Sequence, residues 1–296
     1  MICNLCPRKC GAYRDEYIGE GFCKTGTRPK LARCALHFDE EPCISGTRGS
    51  GAVFFSGCQL KCAYCQNYGI SHGCFGDSVD ASRLRDIFFE LIAQGAHNIN
   101  LVSGTHFVPG ILKALKGGLP VPVVWNSSGY ESVNTLKALA GAVDVYLPDF
   151  KYMDGALAER LSGAADYPEV AVDAIGEMLS QSGKAVFDES GLIRKGTIIR
   201  HLVLPNHLDN TKQVLRRIKW DFEDAYLSLM AQYVPMGRAA EISDINRPLT
   251  REEYDEALEY MYALGFENGY TQELSAATSA YTPEFDLRGV HSAANG

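Results

Sequence analysis

Short apolar runs alternate with amphipathic helical patterns over most of this chain. In residues 80–95, for example, Leu84, Ile87, Phe88 and Leu91 recur at the three- and four-residue spacing of a helix that buries one face. Strand-like runs lie at residues 52–55, 99–102, 121–125, 143–147, 198–204 and 227–234. Strands that alternate with helices favour βα units and a parallel sheet. The pattern therefore predicts an α/β fold, a partial (β/α)6 TIM-type barrel whose chemistry lies in the loops after the strands.

The two ends of the chain depart from this alternation. Residues 1–44 are rich in cysteine, glycine and turn residues and are predicted to be a loop-rich extension that binds metal. The barrel is predicted to span residues 45–280. Residues 281–296 lose periodicity and are expected to pack loosely as a tail. Near the end of the barrel, Thr250 and Glu253 have the spacing of a capping box, which predicts the start of a helix.

Composition excludes several classes of protein. The formal net charge is −8, which argues against nucleic acid as a partner. No apolar run approaches the roughly 20 residues that a membrane helix needs. The first residues, MICNLCPRKC, lack the apolar core of a signal peptide. A cytoplasmic protein that binds neither membrane nor nucleic acid is expected.

The cysteines carry the strongest chemical signal. All ten lie before residue 75, and in a reducing compartment clustered thiols favour metal over disulfides. Cys58, Cys62 and Cys65 follow the first strand with the spacing C-x3-C-x2-C. Three thiolates on a four-iron cluster leave one iron open to a ligand. A zinc knuckle is the alternative, but it usually pairs two C-x2-C units, and no second unit follows closely.

A second metal site is predicted in the extension. Cys3, Cys6, Cys10 and Cys23 place four thiols in a segment too short to have its own core. The spacing fits an auxiliary Fe–S cluster or a structural zinc ion equally well, so the sequence does not distinguish the two metals. Thiols that are partly unused are the further alternative.

The run of residues 45–71, with its C-x3-C-x-aromatic-C motif, resembles the radical S-adenosylmethionine (SAM) enzymes. It is most similar to the uncharacterised branch related to the activating enzyme of pyruvate formate-lyase, a glycyl-radical protein. The resemblance implies a radical SAM barrel with a [4Fe-4S] cluster on Cys58, Cys62 and Cys65. It also implies SAM on the open iron and an oxidoreductase that cleaves SAM reductively to a 5′-deoxyadenosyl radical, which abstracts hydrogen from a substrate.

The same resemblance implies two groups of SAM-binding residues. Ser103, Gly104 and Thr105 occupy the turn that would bind the SAM amino group, although this sequence lacks the acidic residue usual there. A capping turn is the structural alternative. Asp149 and Lys151 follow the fourth strand as D-x-K; alternation places them on one face, where Lys151 would pair with the SAM carboxylate. Their alternative is a surface ion pair.

Four further residues are candidates for cofactor binding. His201, on the fifth strand, would face the barrel interior and donate to the SAM carboxylate; a buried core histidine is the alternative. Asn126 and Ser128 end the third strand within reach of the ribose, or they form a turn. Tyr64 precedes the last cysteine of the motif and would lie near the adenine.

The sequence does not identify the target of the radical. The resemblance implies a glycyl-radical enzyme as partner and a flavodoxin or ferredoxin as electron donor. Radical modification of a small molecule or peptide is the second hypothesis, because the fold and the cluster do not determine the substrate. A non-enzymatic Fe–S or zinc protein is the third.

Overall fold

The computed structural model describes residues 2–277 and 282–292. Within them, a large and mostly parallel sheet is flanked by helices. The strands are β1 (Lys30–His37), β2 (Ser50–Phe55), β3 (Asp77–Ser78), β4 (Ile99–Val102), β5 (Val123–Ser127), β6 (Val145–Pro148), β7 (Val186–Phe187), β8 (Ile193–Leu202), β9 (Tyr226–Met230) and β10 (Gly269–Thr271). The helices are α1 (Pro42–Ser45), α2 (Tyr68–Ser71), α3 (Ala81–Ala93), α4 (Val108–Ala114), α5 (Val133–Leu139), α6 (Gly155–Ser162), α7 (Tyr167–Ser182), α8 (Leu208–Asp221) and α9 (Arg251–Ala263).

The sheet has the order β10-β9-β8-β6-β5-β4-β2-β1-β3, and β7 pairs with β8 outside this path. Strands that are neighbours in this order from β2 to β10 are parallel, whereas β1 runs antiparallel to both β2 and β3, and β7 runs antiparallel to β8. Among the described residues, no pairing joins the two ends of this order, so the barrel is open. The predicted partial barrel is confirmed.

The parallel strands are buried on both faces. Every residue of β2, β4, β5 and β6 is buried, because the helices cover one face of the sheet and the other lines the barrel interior. Pro122 lies one residue before β5, where its missing N–H costs no ladder bond. The six predicted strands correspond to β2, β4, β5, β6, β8 and β9.

Local signals in the sequence locate the helix starts. The Asp80 side chain accepts a hydrogen bond from the Arg83 N–H at the start of α3. Thr250 and Glu253 form the predicted capping box at the start of α9. Such caps satisfy N–H groups that have no partner inside the helix. In the described part of the chain, no helix has the length and apolarity needed to cross a membrane.

The two ends of the chain are more ordered than their composition predicts. The stretch Lys30–His37, expected to be loop, is β1 and extends the sheet past β2. Residues 282–292 are largely exposed, but they contact the core at specific points. The Leu287 N–H donates to the Ala32 carbonyl at 3.0 Å, and Val290 is fully buried against the core under α3. The predicted boundary at 280, residue 281 and residues 293–296 lie outside the described residues.

Candidate active site

The cysteine loop connects β2 to α2. Gly57 opens it with a φ of +81°, and a Cβ there would come within 2.7 Å of the Cys23 carbonyl oxygen. Glycine is therefore required at this turn. Burial raises the pKa of the Cys58 thiol, and it raises that of Cys65 to about 12. The Leu60 N–H donates to Cys58 Sγ at 3.3 Å, and Ser71 Oγ donates to Cys65 Sγ at 3.4 Å. These are neutral thiols with donors already directed at the sulfur, a setting that suits thiolates once a metal cation binds.

The three cysteines lie at one wall of a cleft of about 190 Å³ at the carboxyl ends of the parallel strands. Of the predicted cofactor-binding residues, the cleft is lined by Tyr64, Ser103, Asn126, Ser128, Asp149 and Lys151. A cavity of about 580 Å³ lies elsewhere, between the N-terminal segment and the start of α3 and α4, and is lined by none of these residues. Chemistry rather than size therefore identifies the cleft as the candidate site.

Four charged residues of the cleft, Glu40, Asp149, Lys151 and Arg200, form one network. Arg200 lies at its centre. Its Nε donates to Asp149 Oδ1 and its Nη1 donates to Glu40 Oε2, each at 3.0 Å. Its Nη2 donates to Asn126 Oδ1 at 2.6 Å. Lys151 Nζ donates to Asp149 Oδ2 at 2.7 Å. The network therefore fixes side chains from β5, β8 and the loops after β1 and β6 in one arrangement.

The protonation states in the network follow from mutual pairing. Burial works to raise the pKa of Asp149, but the nearby charges of Lys151 and Arg200 outweigh it, and the pKa is lowered. Burial works to lower the pKa of Lys151, but the charge of Asp149, which accepts a hydrogen bond from Lys151, outweighs it, and the pKa is raised. Both groups are therefore charged at neutral pH.

The first residue of the turn after β4 lies at the cleft, and the next two lie in the core. Ser103 lines the cleft with a φ of +62°, a left-handed conformation that costs a non-glycine residue about 1–3 kcal/mol. Gly104 and Thr105 do not line the cleft. An added Cβ at Gly104 would meet the Ile111 side chain at 2.7 Å, and Thr105 is fully buried. Of these three residues, Ser103 is therefore the one that lies where it could contact SAM directly.

His201 does not face the cleft, and the prediction of its orientation is wrong. Its Nδ1 donates to the Phe150 carbonyl at 2.7 Å, and its Nε2 lies 3.0 Å from Thr211 Oγ1. Burial lowers its pKa to about 4, so the ring is neutral. The register of β8 directs the flanking residues Arg200 and Leu202 into the cleft instead. His201 is therefore a buried core histidine with both ring nitrogens paired, which is the alternative that the sequence analysis gives for it.

Sequence reasoning missed Glu40 and Arg200 as site residues. Arg200 lies next to His201, and a one-residue change of strand register would have identified it. Glu40 gave no such signal, because its segment was expected to be loop. Its Oε1 accepts hydrogen bonds from the side-chain amides of Asn100 at 3.0 Å and Asn126 at 3.1 Å.

The N-terminal segment packs directly on the cysteine loop. Arg8 Nε donates to the Gln59 carbonyl at 2.8 Å, and Arg8 Nη2 donates to the Ser162 carbonyl at 2.7 Å. Burial raises the pKa of Cys6 to about 12, and the nearby thiols of Cys3, Cys23 and Cys10 add to this. In residues 2–277 and 282–292, no three histidine, cysteine or acidic side chains are gathered into a preformed metal site. Cys3, Cys10 and Cys23 lie near enough to Cys6 to affect its pKa, and the prediction of a second metal remains a prediction.

The donor set of the cleft fits a cluster and a polar cofactor. Three soft sulfur ligands on one loop suit iron. Within the described part of the chain, Ser128 Oγ is buried at the cleft without a hydrogen-bond partner, and Lys151 and Arg200 supply positive charge. A ligand with hydroxyl and carboxylate groups would satisfy these side chains.

Comparisons with known proteins agree with this chemistry. Residues 45–161 match a family described as a 4Fe-4S single cluster domain. The uncharacterised protein MJ0674 of Methanocaldococcus jannaschii is 34% identical over 267 residues, which cover 87% of this chain and 73% of that protein.

Two solved structures share the fold at low sequence identity. SuiB of Streptococcus suis, bound to its precursor peptide SuiA, has a TM-score of 0.51 at 14% identity, and the match covers 75% of this chain and 48% of SuiB. This chain thus spans about half of SuiB. Methylornithine synthase (PylB) has a TM-score of 0.51 at 14% identity, with 81% of this chain and 72% of PylB covered.

The chain therefore shares its fold with SuiB and methylornithine synthase, and its cysteine motif lies within the region that matches the 4Fe-4S single cluster domain. The chain belongs to the family of MJ0674.

Proposed function

We propose that the cleft binds a [4Fe-4S] cluster through Cys58, Cys62 and Cys65, together with SAM, for radical abstraction of hydrogen from a substrate. The observation that carries the proposal is that these three cysteines and the charged network around Arg200 line the same cleft. When bound, the cluster and SAM supply a reductive cleavage that yields methionine and a 5′-deoxyadenosyl radical.

The side chains of the cleft divide the binding of SAM between them. Lys151 and Arg200 offer positive charge to the SAM carboxylate, and Ser128 and Asn126 offer a hydroxyl and an amide to the ribose. Asp149 keeps both cations charged and in place. Because the site is largely desolvated, these contacts are stronger than they would be in water.

The proposed substrate is a protein, and specifically a glycyl-radical enzyme that receives its radical at a backbone glycine. The likeness of residues 45–71 to the activating enzymes supports this choice, and the peptide-bound state of SuiB shows that a chain of this fold accepts a peptide. Radical modification of a small molecule is the second candidate, since PylB shares the fold. A flavodoxin or ferredoxin is the proposed electron donor. The cytoplasm is the proposed location, because all ten cysteines are free thiols.

The test is SAM cleavage by the anaerobically reconstituted protein with a chemical reductant, measured as 5′-deoxyadenosine by mass spectrometry. Wild type should form it, and C58A/C62A/C65A should not. C43A is the matched control, because Cys43 is buried in a separate core cluster away from the cleft. Turnover by the triple variant at the wild-type rate would overturn the site. A candidate partner labelled with deuterium at glycine Cα should transfer deuterium to the product, and transfer from a small molecule would favour the second candidate.

A further inference from the structure

A chain of buried polar side chains lies behind the cleft and joins two of its walls. Gln59 directly follows Cys58, and its Nε2 donates to Thr105 Oγ1 at 2.9 Å. Thr105 Oγ1 in turn donates to Glu131 Oε1 at 2.6 Å. The exposed fractions are 2% for Gln59, 0% for Thr105 and 1% for Glu131, so water does not compete for these bonds. The chain thus connects the cysteine loop, the turn after β4 and the loop after β5.

When Glu131 is ionised, it sets the direction of the hydrogen bonds in this chain. A threonine hydroxyl has one proton, and Thr105 donates that proton in its hydrogen bond to Glu131 Oε1. The lone pairs of Thr105 are then free to accept from Gln59. Among the described residues, Gln59 Oε1 is buried without a hydrogen-bond partner. A buried polar atom without a partner is costly, so Gln59 is not explained as an efficient contributor to stability.

The turn that Thr105 anchors needs such support. Ser103, two residues earlier, holds its left-handed backbone at the surface of the cleft. Its N–H donates to the Asn126 carbonyl at 2.9 Å, and the short helix Thr105–Phe107 follows. A conformation of this kind persists only where the surrounding structure fixes it. The hydroxyl of Thr105 is held from the cysteine loop on one side and from Glu131 on the other.

We propose that Glu131 is a positioning residue which, through the hydroxyl of Thr105, holds the turn at Ser103 in fixed relation to the cysteine loop. The cysteine loop and the turn at Ser103 are then both positioned to contact SAM and the cluster. This inference rests on the proposed function of the cleft. In this inference the hydroxyl of Thr105, and not the shape of its side chain, couples the turn at Ser103 to the cysteine loop.

The experiment compares variants that separate hydroxyl from shape. T105V keeps the shape and removes the hydroxyl, T105S keeps the hydroxyl and removes a methyl, E131A removes the acceptor, and E131Q retains an acceptor oxygen. The matched control is T197V, because Thr197 is also fully buried and its hydroxyl pairs with Ser182 at 2.8 Å. The readouts are iron content, the SAM dissociation constant by anaerobic calorimetry, and the change that SAM produces in the electron paramagnetic resonance (EPR) spectrum of the reduced cluster.

T105V and E131A should keep their iron, bind SAM about tenfold more weakly and show a smaller SAM-induced change in the spectrum, because T105V loses two buried hydrogen bonds and E131A loses one. T105S, E131Q and T197V should stay within about threefold of wild type. Wild-type affinity in T105V overturns the inference and leaves the proposed function intact. If wild type itself gives no SAM-dependent change, the proposed function fails. If T105V does not fold, T105S provides the test. A tenfold loss of SAM affinity in T105S would assign the role of Thr105 to packing and overturn the inference.

Discussion

Arg200 Nε donates to Asp149 Oδ1 at 3.0 Å and thereby links β8 to the loop after β6. The Arg200 guanidinium also contacts Glu40 and Asn126, so one side chain joins four segments of the chain at the cleft. Its planar group with several fixed donors permits this, whereas an ammonium group is a single point donor. Its neighbour His201 points away from the cleft and is satisfied by core partners.

Substitutions at these adjacent positions should therefore have different effects. R200K should weaken SAM binding by at least about tenfold, because lysine loses the bonds to Asp149, Glu40 and Asn126 as a set. H201N keeps a donor for the Phe150 carbonyl and should bind SAM within about twofold of wild type, while losing about 1–2 kcal/mol of unfolding free energy. Calorimetry and urea unfolding measure the two effects. Weaker SAM binding by H201N with R200K unaffected would reverse the assignment.

The stability of the protein should carry a pH dependence from Glu131. Burial raises the pKa of Glu131 from its ordinary value of 4.5 to about 7. The folded state then retains a proton that the unfolded state has lost, so this residue makes the fold less stable as pH rises from about 4.5 to about 7. The free energy of unfolding of wild type relative to E131Q should fall by about 3 kcal/mol across that window.

Taking the difference from E131Q isolates this residue from two histidines. Burial lowers the pKa of His106 and His201 to about 4. Their contribution to stability is present above the unfolded pKa of about 6.5 and is lost as pH falls. These opposing contributions cancel between wild type and E131Q in urea titrations at each pH. A difference that stays level from pH 4.5 to 7.5 would show that Glu131 ionises normally.

Metal content should respond separately to the two groups of cysteines. The variant C3A/C6A/C10A/C23A should lose one metal centre while keeping the iron held at Cys58, Cys62 and Cys65. Iron and zinc per chain, measured by mass spectrometry, identify the metal. C34A is the control, because Cys34 is buried on β1 and burial raises its pKa to about 12 without a nearby thiol among the causes. Unchanged metal in the quadruple variant would make these four cysteines structural thiols only.

The C-terminal segment should contribute to stability despite its polar composition. Val290 is fully buried beside α3, where Arg83 Nε also donates to its carbonyl at 3.0 Å. V290A should lower the free energy of unfolding by about 2 kcal/mol, since it removes two methyl groups and leaves a cavity. V186A serves as the comparison, because Val186 is 52% exposed and should change stability by under about 0.5 kcal/mol. Equal effects on urea unfolding would mean that the segment is not docked in solution.

Much of the fold follows from local patterns. The alternation of apolar runs and amphipathic helices predicted the parallel strands, and caps such as Asp80 and Thr250 predicted helix starts. The segment Lys30–His37 was missed, since its apolar residues lie among turn signals and its pairing partner β2 begins thirteen residues later. Residues 282–292 were missed because their burial depends on a groove formed by distant elements.

The sequence by itself determined the cysteine motif and the positions of Asn126, Ser128, Asp149 and Lys151 at strand ends, because the carboxyl ends of parallel strands meet at one edge of a sheet. Only the tertiary structure decided that Arg200 rather than His201 enters the cleft, and that Glu40 and Glu131 support it. Arg200 and Glu40 are 160 residues apart. Side-chain direction on a strand alternates with each residue, so it depends on register between strands far apart in the chain, which no local pattern records.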